Sequence, residues 1–183
     1  MYAEIFFNDT KSKINCFALR LRNSFYAQET IYFYSMFIQD DEYFMKQALR
    51  EAQDAYYEGE VPIGAVVVIN NKIIARGHNQ VERLNDPTAH AEILAITSAC
   101  SYLDAKYLPD ATLYVTIEPC HMCAGALYWS KLQRIVFGAK DVKQGYASFY
   151  GNKNPFHPKT EVTGEVLAAE CAKLIKDFFK ERR

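Results

Sequence analysis

Apolar positions recur through residues 43–57 at Phe44, Ala48, Ala52 and Ala55, while Lys46, Arg50, Glu51 and Asp54 fall between them. That period predicts a helix with one buried side, N-capped at Asp40 or Asp41 and ended by Gly59. The pattern then changes. Residues 62–70 (P-I-G-A-V-V-V-I-N) are β-branched and nearly all apolar, which predicts a strand buried on both faces. Asn70-Asn71 supplies turn residues that tolerate positive φ, so residues 72–76 are expected to return as the second strand of an antiparallel hairpin.

Residues 77–87 read as a loop, closed by Asp86-Pro87-Thr88 as a helix-start signal. The helix it launches is expected over residues 89–102, with Ile93, Leu94, Ile96 and Ala99 on one side. Residues 112–117 (T-L-Y-V-T-I) read as another buried strand, reached through a helical crossover and therefore expected to lie parallel to its neighbour. Pro119 stops that strand, a helix follows over residues 120–130, and residues 134–138 (R-I-V-F-G) read as a fourth strand after a second crossover. Residues 139–158 carry Gly, Asn and Pro and read as a long loop. A last helix over residues 165–183 has Val166, Ala169, Leu174, Phe178 and Phe179 apolar, and a basic end that suits a helix C-terminus. The sum is an α/β protein: a three-layer α/β/α domain with a mixed sheet.

Residues 1–35 are unlike the rest. They are rich in aromatics, lack glycine and proline, and show no sustained amphipathic period. Arg20 and Arg22 interrupt the apolar run at 14–21 and no small-residue cleavage site follows, so a signal peptide is not expected. The segment is also too short and too polar to span a membrane. The working protein is expected to begin at Met36, with residues 1–35 an N-terminal extension or start-site artefact.

Composition narrows the picture only a little. With 183 residues, half of them hydrophobic, the chain can bury one sizeable core but not two. A formal net charge of −1 gives no global basic signal, so nucleic-acid contact would need a local patch. Five cysteines are an odd set in a chain too large to need staples, which points to a reducing, cytoplasmic setting. Cys100 and Cys171 read as packed helix residues.

The remaining pair carries chemistry. Cys120 and Cys123, spaced i and i+3 at a helix start, share one face, and the helix dipole there favours thiolates. His90 at the preceding helix start would complete three protein ligands for zinc and leave a fourth position for water. Zinc so held brings the pKa of its water from about 15.7 to near 7. Glu92, two positions beyond His90, can reach the same cavity without coordinating, take the proton of that water and deliver it to a ring nitrogen and a leaving amine. That is hydrolytic deamination. A structural zinc would need a fourth protein ligand; His121 suits by type, but its place next to Cys120 turns it off the shared face.

The quoted runs have company. E-V-P-I-G-A-V-V-V at 60–68, D-P-T-A-H-A-E-I at 86–93, E-P-C-H-M-C-A-G-A at 118–126, V-F-G-A-K-D at 136–141 and D-F-F at 177–179 together resemble the bacterial tRNA-specific adenosine deaminases of the cytidine and deoxycytidylate deaminase superfamily. The resemblance implies a homodimeric, cytidine-deaminase-like domain over residues 36–183 that binds one Zn2+ per subunit. It also implies conversion of the wobble adenosine of a tRNA anticodon stem-loop to inosine. By motif match, His90, Cys120 and Cys123 are the zinc ligands and Glu92 the proton shuttle. Asn79 would contact the flipped base, Ile63 and the backbone around Ala91 would wall its pocket, and Asp141 falls in the loop that would touch the flanking nucleotide. His121, the pair Tyr128-Trp129 and residues 146–158 depart from the family's usual pattern, where RNA contact and the dimer surface would be expected.

For Tyr128 and Trp129, helix packing is the simpler expectation and base stacking the alternative. Lys131, Arg134, Lys140, Lys143, Lys153, Lys159, Lys180, Arg182 and Arg183 could gather into a phosphate-binding face. Two other functions stay open at this point: a deaminase of a free base such as guanine or cytosine, and a noncatalytic zinc-stabilised binding module. Glu92 argues against the second, because a structural site has no use for an unliganded carboxylate beside the metal.

Overall fold

Asn70 and Asn71 both adopt left-handed backbone, with φ of 49° and 59°. Only a two-residue turn of that kind follows the twist of the flanking strands, and it joins β1 (Gly64–Ile69) to β2 (Lys72–His78) as an antiparallel hairpin. A computed structural model describes residues 40–151 and 153–182, which belong to one compact unit, Gln39–Arg183. The expected N-terminal extension, and Met36 with it, lie outside the described residues.

Around the hairpin the described elements run α1 (Asp41–Tyr57), β1, β2, α2 (Val81–Leu84), α3 (Ala91–Leu103), β3 (Thr112–Ile117), α4 (His121–Ser130), β4 (Arg134–Ala139), α5 (Tyr146–Tyr150), β5 (Glu161–Thr163) and α6 (Ala168–Glu181). The sheet order is β2-β1-β3-β4-β5. Alternation along β1 assigns its two faces. Ala65 and Val67 join a core cluster with Ala91, Ala95 and Ala99 of α3 and Ala124 and Leu127 of α4. Val66 and Val68 join the opposite cluster with Phe44, Met45 and Ala48 of α1 and Cys171 of α6. Helices therefore cover both faces of a mixed sheet, as the three-layer expectation required.

Two expectations about the strands need correction. β3 pairs with β1 antiparallel, not parallel. The crossover through α3 starts from β2 and sets β3 parallel to β2, but β1 lies between them, so the hydrogen-bonded neighbour runs the other way. Parallel pairing begins with β3–β4 and continues into β5. β5 was hidden because three residues, E-V-T, are too short to show a period.

Helix limits shift as well. The Asp86 signal closes a local turn instead of capping α3: its carboxylate accepts the backbone N–H of Thr88 at 2.8 Å and the Thr88 hydroxyl at 2.7 Å. α3 starts two residues later than expected, with His90 as its N-cap. Its buried side is the stripe Ala91, Ala95 and Ala99, not Ile93 and Leu94, which are half-buried. The reason is close approach. A Cβ at Gly77 of β2 would stand 2.8 Å from the Ala91 carbonyl and from the Ala95 nitrogen, so only small residues fit on either side. The 77–87 and 139–158 loops contain the short helices α2 and α5.

α1 is capped by Asp40, which accepts the Tyr43 N–H at 2.9 Å. Asp41 clamps that helix to the sheet, accepting two hydrogen bonds of 2.7 Å from the Arg134 guanidinium and one of 2.9 Å from the Tyr114 hydroxyl. Burial and the Asp41 charge hold the Tyr114 hydroxyl well above its ordinary range.

Candidate active site

His90 and Cys120 are the N-caps of α3 and α4, both in extended backbone, and neither side chain caps its own helix. Both are left to face each other. Cys120 Sγ lies 3.6 Å from His90 Nδ1, and Cys123, one turn into α4, places its Sγ 3.5 Å from the same nitrogen. The three donor atoms lie within 4.8 Å of one another.

Those spacings fit zinc. A sulfur and a nitrogen held tetrahedrally on one zinc ion, at about 2.3 and 2.05 Å, stand about 3.6 Å apart. The protonation of the cluster fits too. Cys120 is lowered to about 4, first by a hydrogen bond from Cys123, then by His90. Cys123 is raised, first because its thiol proton is held in the hydrogen bond to Cys120 and then because it is buried. Two sulfurs and an imidazole sharing protons in this way are a donor set that a divalent cation can take over. His121 is exposed and stacks its ring 4.4 Å from that of Phe149, away from the donors.

Glu92 sits in the first turn of α3 and is 2% exposed. Burial raises its pKa first, and the Cys120 charge adds to this, against a backbone N–H, His90 and Cys123, which lower it. A carboxyl that holds its proton more readily than usual, beside a site for a cation that would favour the carboxylate, suits proton transfer in both directions.

The other expected site residues are placed by their own local contacts. Asn79, at the end of β2, is buried and its backbone N–H donates to the Ile63 carbonyl at 3.0 Å. Ile63 is half-buried and packs on the core. Ala91 is the first residue of α3. Gln80 N–H donates to the Ala89 carbonyl at 3.0 Å, which ties the end of β2 to the residue before His90. Asp141, after β4, is half-buried and turns its carboxylate onto its own loop, accepting the N–H groups of Lys143 at 2.9 Å and Gln144 at 3.0 Å.

Two residues escaped the sequence reading. Glu60 and Glu118 are both buried. Glu118 accepts the N–H groups of Asp141 at 3.2 Å and Ala147 at 2.9 Å, and so holds the 141–147 loop against the start of α4. Tyr146 N–H donates to the Pro119 carbonyl at 2.8 Å on the same seam. Glu60 accepts from the Asn79 side chain and from two backbone N–H groups of α2. No sequence signal marks them, because which loop N–H groups lack a backbone partner is decided only by the fold.

The expected basic face is only partly available. Arg134 is committed to Asp41, Lys140 pairs with Glu165 at 3.2 Å, Lys131 sits 3.9 Å over the Tyr107 ring, and Arg182 sits 4.1 Å over Phe178. Helix packing does not account for Trp129, which is 70% exposed and meets Tyr128 edge to face.

A trio of metal donors with a buried carboxylate beside it, mounted on a mixed sheet between helix layers, defines a metal-dependent hydrolase. The cytidine and deoxycytidylate deaminase zinc-binding region matches residues 38–139, and the chain belongs to that family. Among its relatives, the tRNA-specific adenosine deaminase of Bacillus subtilis is 48% identical over 146 residues, covering 78% of this chain and 91% of that protein. A structure from a study of A-to-I editing by tRNA:A34 deaminases at the wobble position superposes with a TM-score of 0.67. It is 42% identical, over 72% of this chain and 97% of that one. The guanine deaminase of Nitrosomonas europaea is more distant, with a TM-score of 0.64 and 26% identity, covering 77% of this chain and 85% of that one.

Proposed function

We propose that this enzyme converts the wobble adenosine of a tRNA anticodon to inosine by zinc-dependent hydrolysis. The observation that carries the chemistry is the pairing of three metal donors with the buried Glu92 two residues beyond His90. What favours the tRNA substrate is likeness to relatives of that activity across most of their length.

His90, Cys120 and Cys123 would hold the zinc, which when bound acts as a Lewis acid that makes a water nucleophilic at neutral pH. Oxygen adds to C6 of the purine, the C6–N bond breaks, and water plus adenosine becomes inosine plus ammonia. Glu92 takes a proton from the attacking water, gives it to a ring nitrogen, and later passes one to the departing amine. Burial keeps bulk water from intercepting those transfers.

Asn79, Ile63 and the backbone at Ala91 are proposed to surround the flipped base, and Asp141 to orient the loop beside the flanking nucleotide. Trp129 and Tyr128 offer aromatic faces for stacking. The working unit is proposed to be a cytoplasmic homodimer, which sedimentation equilibrium of the zinc-loaded protein tests directly. Among the described residues no helix is long and apolar enough to cross a membrane. Incubation with an anticodon stem-loop carrying a wobble adenosine, followed by nucleoside digestion, should yield inosine. Unchanged adenosine would reject the proposal.

A further inference from the structure

Glu60 is 2% exposed, and three N–H groups converge on its carboxylate. Oε2 accepts the side-chain amide of Asn79 at 3.1 Å and the backbone N–H of Glu82 at 3.3 Å, and Oε1 accepts the backbone N–H of Arg83 at 2.8 Å. The last two are the opening donors of α2, whose own N-cap, Gln80, makes no side-chain capping bond. A carboxylate that accepts two backbone donors has only acceptor character left for Asn79. The amide of Asn79 must therefore turn its nitrogen to Glu60 and its oxygen away. That oxygen has no hydrogen-bond partner among the described residues, and no side-chain polar atom among them is both sealed from solvent and unpartnered, so it remains open to an incoming group.

We propose that Glu60 is a positioning residue that fixes the Asn79 side chain with its carbonyl oxygen facing the substrate, so that the site recognises its nucleoside at this point through a hydrogen-bond donor, a hydroxyl or an N–H. The wider frame supports this. Asn79 is also held from behind by the Ile63 carbonyl, and the next residue is tied to Ala89 beside His90. The amide is thus fixed in both place and polarity relative to the zinc ligands. Selectivity follows at that atom: an acceptor set against the oxygen leaves two acceptors facing each other, and could be met only by the second amide N–H, which Glu60 does not engage.

The variant Glu60→Gln tests this, because one amide cannot accept from all three donors. Either its NH2 faces Asn79 and Glu82 and turns the Asn79 amide, or it faces Arg83 and leaves Asn79 only a neutral, weaker acceptor shared with Glu82. The activity arm rests on the proposed contact between Asn79 and substrate. In the zinc-loaded enzyme, Glu60→Gln should lower kcat/KM on the stem-loop by about tenfold or more, yet by less than about twofold when Asn79 is already alanine. Equal losses in both backgrounds would show a purely structural role and overturn the proposal.

A second arm needs no activity. In 15N-labelled enzyme the Asn79 side-chain amide, identified by its loss in Asn79→Ala, should show one proton shifted downfield and slow to exchange, and Glu60→Gln should diminish or abolish both features. A fast-exchanging, unshifted amide in the wild type overturns the proposal even if Glu60→Gln fails to fold. A wild-type enzyme inactive on RNA would refute the proposed substrate, and the spectroscopic arm would still decide the role of Glu60.

Discussion

Cys123 Sγ stands 3.5 Å from His90 Nδ1, although thirty-three residues separate them in the chain. The contact joins the mouths of two neighbouring helices, and it fixes the proton inventory that zinc must displace. Cys123 is raised by its hydrogen bond to Cys120, and His90 is raised, mainly by its own hydrogen bond to Cys120. Both therefore hold protons more tightly than free side chains do, whereas zinc needs a thiolate and a neutral imidazole. Zinc affinity is expected to climb with pH, and binding near pH 7 to release about one to two protons. Calorimetry in buffers of different ionisation enthalpy measures this. An affinity that stays flat between about pH 6 and pH 8 would contradict the assignment.

Replacing Cys120 or Cys123 with alanine should abolish stoichiometric zinc, whereas Glu92→Gln should keep it and lose at least about a hundredfold in turnover. Metal analysis beside single-turnover rates separates the two classes. Full zinc in either cysteine variant would refute the ligand set, and an active Glu92→Gln enzyme would remove Glu92 from the proton path.

The three metal donors were legible because the C-x-x-C spacing and the H-x-E run carry their own chemistry, and the hairpin because Asn70-Asn71 has few other conformations to offer. Glu60 and Glu118 were not. A glutamate in a sequence is by default a solvated charge, and only the fold shows which ones are buried beneath a loop's unpaired N–H groups. The antiparallel pairing of β3 was lost for a related reason. A crossover sets direction relative to the strand it leaves, β2, and says nothing about β1 lying between. Trp129 read as helix packing, yet it is 70% exposed and its ring meets only Tyr128, edge to face, among the ring contacts of the described residues.

Gly145 abuts the carboxyl group that holds the 141–147 loop. A Cβ there would stand 2.5 Å from Glu118 Cδ and from the Asp141 carbonyl. Gly145→Ala is therefore expected to cost about 1–3 kcal/mol of stability and to displace the loop. Activity on RNA should fall while zinc stays bound. Urea denaturation and metal analysis report the two effects, and a variant of wild-type stability and activity would show that the loop has room the geometry denies it.

The Asp41–Arg134 pair is partly buried, with side-chain exposures of 33% and 26%. Its two-pronged geometry places it above ordinary surface pairs but below a sealed one. Arg134→Ala should destabilise the zinc-loaded enzyme by about 1–3 kcal/mol, and Tyr114→Phe by about 1 kcal/mol. Denaturant titration decides, and a change for Arg134→Ala within about 0.5 kcal/mol would mean that the clamp is ornamental. Because Arg134 is held this way, its removal should leave RNA affinity nearly unchanged.

The proposed reaction is zinc-dependent hydrolytic deamination of an adenosine presented by RNA. The direct measurement is the rate of deamination by one preparation of zinc-loaded enzyme on an anticodon stem-loop with a wobble adenosine, beside free adenine, guanine and cytosine, with Glu92→Gln as the blank. Inosine should form in the stem-loop, with the free bases unchanged and the blank inactive. Turnover of free guanine or cytosine with an untouched stem-loop would contradict the account.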